Sequence, residues 1–304
     1  MNKNKKIAVF GGSGFLGKAL LKLLMNENSE ITLFTRKKKI QQTLDKIFPD
    51  NNIKCAQWSI DNLQVLEKKI KNVNYIINLC GILYENKNGD FFKVHSDLPA
   101  ILGKISSKNK IKTLIHVSAL GVSELSTSKY SRSKAEGERK LLENFPRGKI
   151  LRPSLLYGEG DNFFGQFSDI ASISPFLPVI SRRTKFQPVF VEDVANAIIK
   201  LLENKKEKNS FYEFGGKSIY TFEELLKILL DIKKIKRFLI PLNPQLMMIP
   251  AFFLQGLPKP PFTVDQMILL KTDNILKNKL PGLEELGIKI SNMKDELLKI
   301  YKHN

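Results

Sequence analysis

Tyr130 and Lys134 stand in the pattern Tyr-x-x-x-Lys. On a helix, residues i and i+4 share a face, so a phenol and an ammonium at this spacing reach one ligand. A cation beside a phenol lowers its pKa and makes it a usable acid/base for a carbonyl or an alcohol. Ser118 precedes Tyr130 by twelve residues and can hydrogen-bond the same oxygen. Taken alone, the pair reads equally as an exposed helix with a lysine partner, so its meaning rests on the elements around it.

Those elements begin at the N-terminus. Lys6–Phe10 is a short apolar strand, and Gly11-Gly12-Ser13-Gly14-Phe15-Leu16-Gly17 follows at once. Leu16, Ala19, Leu20, Leu23 and Leu24 then recur at helical spacing. Strand, G-x-x-G-x-x-G and helix is the order a dinucleotide requires. The glycines bring backbone N–H groups close to a pyrophosphate, and the helix N-terminus adds the positive end of its dipole. Further strands are expected at Glu30–Thr35, Ile53–Trp58, Asn74–Cys80, Lys112–Ser118 and Lys149–Arg152, with helices such as Leu63–Ile70 and Leu98–Ser107 between them. This alternation predicts an α/β fold, a Rossmann-type doubly wound parallel sheet with a smaller, mostly α C-terminal lobe. Residues 1–155 form the nucleotide-binding part, rejoined by 186–204. Residues 156–185 and 205–304 form the lobe, of which 160–184 reads as irregular with a short helix. Thr221-x-x-Glu224 and Thr263-x-x-Gln266 fit capping boxes. Asp193 is expected to cap the helix after it, and Ser291 the last helix.

Composition narrows the partners. The 304 residues carry a formal net charge of +19, and only eight of the 49 basic residues are arginine. A general lysine and asparagine bias explains this more simply than a surface for anionic lipid or an acidic partner, which remains the sharper alternative. No basic block with interleaved aromatics argues for nucleic acid. Cys55 and Cys80 lack metal-ligand spacing and read as reduced, buried residues, and no Cys/His/carboxylate cluster suggests a metal. With no signal-type segment before the first strand, a cytoplasmic location is expected, or a peripheral one on the cytoplasmic face of an inner membrane. Phe238–Leu257 is apolar but broken by Pro241, Pro244 and Pro250, and core is favoured over a lid or an interfacial segment.

Position gives the Tyr-x-x-x-Lys pair its weight. It follows the fifth strand of a dinucleotide-type sheet, and Asn78-Leu79-Cys80-Gly81 follows the fourth. Together with Gly11–Gly17, this order resembles the short-chain dehydrogenase/reductase superfamily. Further stretches narrow the resemblance: His116-Val117-Ser118-Ala119-Leu120-Gly121, the run Tyr130–Glu138, Gln187-Pro188-Val189-Phe190-Val191-Glu192-Asp193-Val194, Thr263-Val264-Asp265-Gln266 and Leu280–Ile288. In this order they are similar to the atypical, epimerase-like branch that includes the nucleotide-binding accessory subunit of respiratory complex I and its bacterial relatives.

The resemblance implies that Tyr130 is the acid/base, that Lys134 binds the nicotinamide ribose and lowers the Tyr130 pKa, and that Ser118 is a third catalytic member. It implies nucleotide contacts from Gly11, Ser13, Gly14, Phe15, Leu16 and Gly17. It places Leu79, Cys80 and Gly81 beneath the cofactor and Pro153 on its nicotinamide side. Two positions depart from the family. Ser59 follows Trp58 where an acid usually holds the adenine, and Ser118-Ala119 stands where many active relatives have a serine doublet. Arg152 is either a nicotinamide-side contact or an ion pair. His95, where many relatives have Asn, is read as structural rather than as facing the site.

Cofactor choice has its own physical signal. An NAD site places an acid at the end of the second strand, whereas an arginine there suits a 2′-phosphate. This chain has Thr35-Arg36-Lys37-Lys38, so NADP(H) is expected over NAD(H). Two functions follow from the resemblance. One is a protein that keeps a bound nucleotide within respiratory complex I or another membrane-associated redox complex, touching an anionic membrane peripherally. The other is a free NADPH-dependent oxidoreductase that uses Tyr130 and Lys134 on a quinone-pathway or other hydrophobic substrate.

Overall fold

The computed structural model describes residues 5–27, 29–36, 40–48, 53–203, 208–258, 260–277 and 279–301. In chain order the elements are β1 (Lys5–Phe10), α1 (Phe15–Met25), β2 (Ser29–Thr35), α2 (Ile40–Ile47), β3 (Lys54–Gln57), α3 (Leu63–Ile70) and β4 (Tyr75–Asn78). Next, α4 (Asp90–Phe92) runs through a π-helical turn (Lys93–Asp97) into α5 (Leu98–Lys108), followed by β5 (Thr113–Val117), α6 (Lys129–Asn144) and β6 (Lys149–Pro153). Then come β7 (Leu156–Tyr157), α7 (Phe164–Ile173), β8 (Phe176–Ile180), β9 (Lys185–Phe186), β10 (Val189–Phe190), α8 (Val191–Glu203) and β11 (Phe211–Phe214). The last are β12 (Tyr220–Thr221), α9 (Phe222–Lys233), β13 (Phe238–Leu242), α10 (Pro244–Leu254), α11 (Val264–Leu269) and α12 (Met293–Tyr301).

Seven strands form one parallel sheet in the order β11-β6-β5-β4-β1-β2-β3. The order reverses between β1 and β4, and a crevice opens at such a switch point beyond the carboxyl ends of the strands. β1 is central, and its apolar run Ile7–Phe10 is buried throughout, as a strand covered on both faces must be. Its side chains alternate between two cores. Ile7 and Val9 pack with α1 and α8, while Ala8 and Phe10 pack with α3, α5 and α6.

The expected strands of the first half are present, each within two residues of its expected ends, and Leu63–Ile70 is helical over that range. Other expectations change. Val189–Phe190 does not pair with the main sheet: it pairs with Leu156–Tyr157, while Val189 and the helix after it pack onto the core of the sheet. The seventh strand is β11, from the stretch expected to belong to the lobe, where Phe211, Tyr212 and Phe214 align with Ile150, Leu151 and Pro153. Residues 160–184 hold a ten-residue helix and a five-residue strand. Both capping boxes form, at Thr221 and at Thr263.

Asp193 sits inside the first turn of α8, and its carboxylate accepts from the Ser291 amide (2.8 Å) and hydroxyl (2.9 Å). Ser291 is thereby occupied, and Asn292 accepts from the Lys294 amide at the start of α12 instead. The two cysteines are free and half-buried rather than buried. Phe238–Leu257 is not core: within α10 only Ala251 is buried.

One contact fixes where α6 lies. A Cβ at Gly137 would fall 1.8 Å from the His95 carbonyl oxygen, so α6 crosses the π-helical turn with no room for a side chain. Gly137→Ala must push the two helices apart. The expected loss is roughly 1–3 kcal/mol, the usual cost of overpacking, read from urea unfolding midpoints.

Candidate functional site

The glycine turn leads directly out of β1. Gly11 has φ of +76°, and a Cβ there would lie 2.8 Å from the Leu79 carbonyl carbon at the end of β4. Gly17 meets the Gly12 backbone with a Cβ clearance of only 2.4 Å, so α1 can start only against bare glycine. Gly14 is the N-cap of α1, with no side-chain cap and no acidic residue in the first turn. Its own amide donates to the Gly11 carbonyl (3.0 Å). The amides of Phe15, Leu16 and Gly17 lie in the helical turn that has no intrahelical acceptors. The Leu16 side chain is buried, so this residue can offer only its backbone to a ligand, while Ser13 is half-buried beside the turn.

The end of β4 forms the second wall. The Leu79 amide donates to the Phe10 carbonyl (2.9 Å), and the Cys80 amide donates to Asn78 Oδ1 (3.1 Å). Asn78 Nδ2 lies 3.1 Å from His116 Nδ1, and both residues are fully buried. Gly81 opens onto α6: a Cβ there would sit 3.4 Å from Lys134 Nζ.

Helix α6 supplies the third wall. Ser128 caps it, accepting from the Ser131 amide (3.0 Å). Asp265, from α11, then accepts from the Ser128 hydroxyl (2.7 Å) and from the Lys129 (2.7 Å) and Tyr130 (3.2 Å) amides. The lobe therefore grips the N-terminus of the helix that carries Tyr130. This grip was missed from sequence, although Thr263-Val264-Asp265-Gln266 marked the place. The Tyr130 ring stands edge-on to His95 (5.2 Å between centroids) and Phe91 (5.8 Å). Burial pushes the phenol up to about 12, and the Asp265 carboxylate adds to the rise.

Lys134 is buried, and its ammonium donates to the Val117 carbonyl (3.1 Å) at the end of β5. Burial lowers its pKa to about 8. Ser118 follows on the same strand end. Its amide donates to the Leu151 carbonyl (2.7 Å), and its buried hydroxyl has no partner among the described residues. The structure thus brings Tyr130 and Lys134 onto one helix beside Gly81. The expected lowering of the Tyr130 pKa by Lys134 is not found in this state: the phenol is raised and the ammonium is turned to a backbone carbonyl.

His95 is a structural residue. Its Nε2 accepts from the Ile82 amide (3.0 Å), and its Nδ1 meets Ser133 Oγ (3.0 Å), which itself donates to the Tyr130 carbonyl (2.9 Å). That chain is satisfied only if Nδ1 carries the proton and the ring is neutral. Arg152 is an ion pair: its guanidinium meets Glu138 (2.5 and 3.0 Å) and Glu213 (3.5 Å) and lies over the Phe211 ring. Pro153 ends β6, and its carbonyl accepts from the Leu120 amide (3.0 Å).

On the far side, Arg36 is exposed at the end of β2, while Lys37 and Lys38 lie outside the described residues. Ser59 does not stand free, because its hydroxyl donates to Asp61 (2.9 Å). Cys80 feels both Arg36 and Lys134. Each favours the thiolate, but burial dominates and pushes the thiol up to about 11. A bare glycine turn, an uncapped helix start and two cations flanking the crevice fit a dinucleotide diphosphate.

The comparisons agree with this geometry. The profile of the NAD dependent epimerase/dehydratase family matches residues 7–215, and the chain belongs to that family, as a nucleotide-binding protein of the atypical short-chain dehydrogenase/reductase type. Among its relatives is the "NADH dehydrogenase [ubiquinone] 1 alpha subcomplex subunit 9, mitochondrial" of Arabidopsis thaliana, 30% identical over 92% of this chain and 73% of that protein. The protein of the same name from Dictyostelium discoideum is 28% identical over 96% of this chain and 83% of its own length. In fold, the chain is similar to the Citrobacter sp. triphenylmethane reductase solved with NADP(H), with a TM-score of 0.75 and 17% identity over 97% of this chain and 99% of that one.

The two buried histidines make the fold acid-sensitive. Burial lowers the pKa of His95 to about 2 and that of His116 to about 3. The unfolded chain takes up these protons near 6.5, so below that pH it binds more protons than the folded chain. Their stabilisation is complete above pH 6.5 and is lost as the pH falls, at up to about 1.4 kcal/mol per pH unit for each ring. Urea midpoints between pH 7 and pH 4 should show this limb, and His95→Asn should make it shallower by one ring's share.

Proposed function

We propose that this chain holds NADP(H) as a resident nucleotide and serves as a peripheral module of a membrane-associated, quinone-reducing respiratory assembly. The observation that carries this reading is the state of Tyr130. A general acid/base works best with a pKa near the operating pH. A phenol raised to about 12, beside a lysine spent on the Val117 carbonyl, exchanges protons poorly at neutral pH. The relatives named as NADH dehydrogenase [ubiquinone] subunits support a place in such a respiratory assembly.

The bound nucleotide would bring a nicotinamide able to give or take hydride. Gly11, Ser13, Gly14, Phe15, Leu16 and Gly17 would hold its diphosphate. Arg36 would meet a 2′-phosphate, with Ser59 on the adenine side. Leu79, Cys80 and Gly81 would floor the crevice, Tyr130 and Lys134 would bind ribose hydroxyls, and Pro153 would border the nicotinamide.

A second reading, a free NADPH-dependent oxidoreductase acting on a hydrophobic substrate, draws on Ser118. Among the described residues its buried hydroxyl has no partner, and it follows Val117, the anchor of Lys134, so a substrate oxygen there would satisfy it. In that case Tyr130 is the proton donor and Ser118 orients the carbonyl.

Protein purified without added nucleotide and then denatured should release close to one equivalent of NADPH, with slow exchange against free cofactor beforehand. Steady NADPH oxidation with quinones, abolished by Tyr130→Phe while the nucleotide is retained, would favour the second reading instead. Calorimetric titration of stripped protein should give tighter binding for NADPH than for NADH. Arg36→Glu should weaken NADPH at least tenfold and NADH much less, and tighter NADH binding in the unaltered chain would remove the NADP assignment.

A further inference from the structure

We propose that the face presented by Phe238–Leu257 docks on an anionic bilayer, with α10 lying in the plane of the lipid interface. This deepens the membrane-associated reading above and rests on it. From Phe238 to Pro258 the chain carries no Asp, Glu, Lys or Arg. Yet the segment is not core. Leu246 is 69% exposed, Ile249 66%, Phe252 64% and Phe253 74%. Their spacing puts them on one side of α10. Met247, Met248 and Ala251 pack the other side against Ile180 and Met267. β13 extends the apolar surface, since Phe238 and Phe176 are both exposed and their rings lie 5.9 Å apart.

The edges are basic. Lys234 and Lys236 are exposed just before β13, and Lys271 Nζ lies 4.0 Å from Met248 Sδ beside α10. Asp231 is exposed on that approach, and Asp169 is exposed on α7, which Arg237 meets at the Ala171 carbonyl. At eleven residues α10 is about 16 Å long, about half a hydrocarbon core, so it can lie on a bilayer but not cross it. Among the described residues no helix is long and apolar enough to cross a membrane.

Charge selects the occupant. A second copy would bring lysine edges against lysine edges on chains of +19 each. A protein partner would meet a face with few hydrogen-bonding side chains, whereas protein interfaces carry roughly one hydrogen bond per 100–200 Å². Phenylalanine and leucine facing outward with lysines at the margin match the headgroup–acyl boundary of anionic lipid.

Flotation with phosphatidylcholine vesicles, with and without about 30% phosphatidylglycerol, tests this. The full chain should float with the anionic vesicles, and less so as salt rises. Phe252→Glu with Phe253→Glu should raise the lipid needed for half-binding at least tenfold, while thermal unfolding and nucleotide content stay unchanged. Lys234→Glu with Lys236→Glu should weaken binding without touching the apolar face. No flotation, equal flotation with neutral vesicles, or unchanged binding by the phenylalanine variant overturns the proposal. So does a dimer in solution that the phenylalanine variant splits. Retained nucleotide with no flotation would count against this face alone, whereas flotation by a chain that holds no nucleotide would count against the functional reading.

Discussion

Everything at the crevice depends on how closely α6 can lie against the π-helical turn at Lys93–Asp97. With no side chain at Gly137, the His95 carbonyl fills the place a Cβ would take. That approach lets His95 reach Ser133 on α6 and the Ile82 amide at once, which ties the loop after β4 to the helix. It also brings Lys134 beside Gly81 and within reach of the Val117 carbonyl. A π turn adds a residue to a helix without lengthening it by a full turn, and such turns often mark functional places. Here it points His95 inward, where a regular helix would shift the register.

Around that contact, α6 is held at its first turn and at its middle by different parts of the chain. Asp265 holds its first turn from the lobe, and Arg152 on β6 holds Glu138 further along while also meeting Glu213 on β11. A helix anchored in this way carries its side chains as a rigid set. The lobe is thus part of the electrostatics of Tyr130, because the carboxylate that accepts from the Lys129 and Tyr130 amides also disfavours a Tyr130 phenolate.

Much of the sheet was legible because central parallel strands are apolar on both faces, and runs such as Ile7–Phe10 allow little else. The glycine turn was legible for the same kind of reason: only glycine permits the φ at Gly11 and the backbone contact at Gly17. The seventh strand was not. Phe211–Phe214 is four residues long, and its partner strand is about sixty residues back, so nothing local separates it from a lobe strand. Tyr130 and Lys134 could be placed by spacing, but their protonation could not, since burial and a carboxylate from 135 residues away set it. Asp193 and Ser291 failed as caps because each found the other across 98 residues. Phe238–Leu257 misled because apolar composition reports a preference to leave water, and lipid serves that preference as well as a core does.

The site therefore separates two properties that often travel together. Features that hold a dinucleotide come from the backbone: a turn, a helix start and a strand end, all set by glycine and by the switch in strand order. Features that would make it react come from side-chain electrostatics, and these lean the other way, with a phenol kept protonated and an ammonium committed to a carbonyl. Binding a nucleotide would change that balance only if ribose hydroxyls drew Lys134 away from Val117 and toward the phenol. Desolvation lowers Lys134 only to about 8, so it stays mostly protonated near neutral pH, and an ammonium released from Val117 would then be available to the phenol.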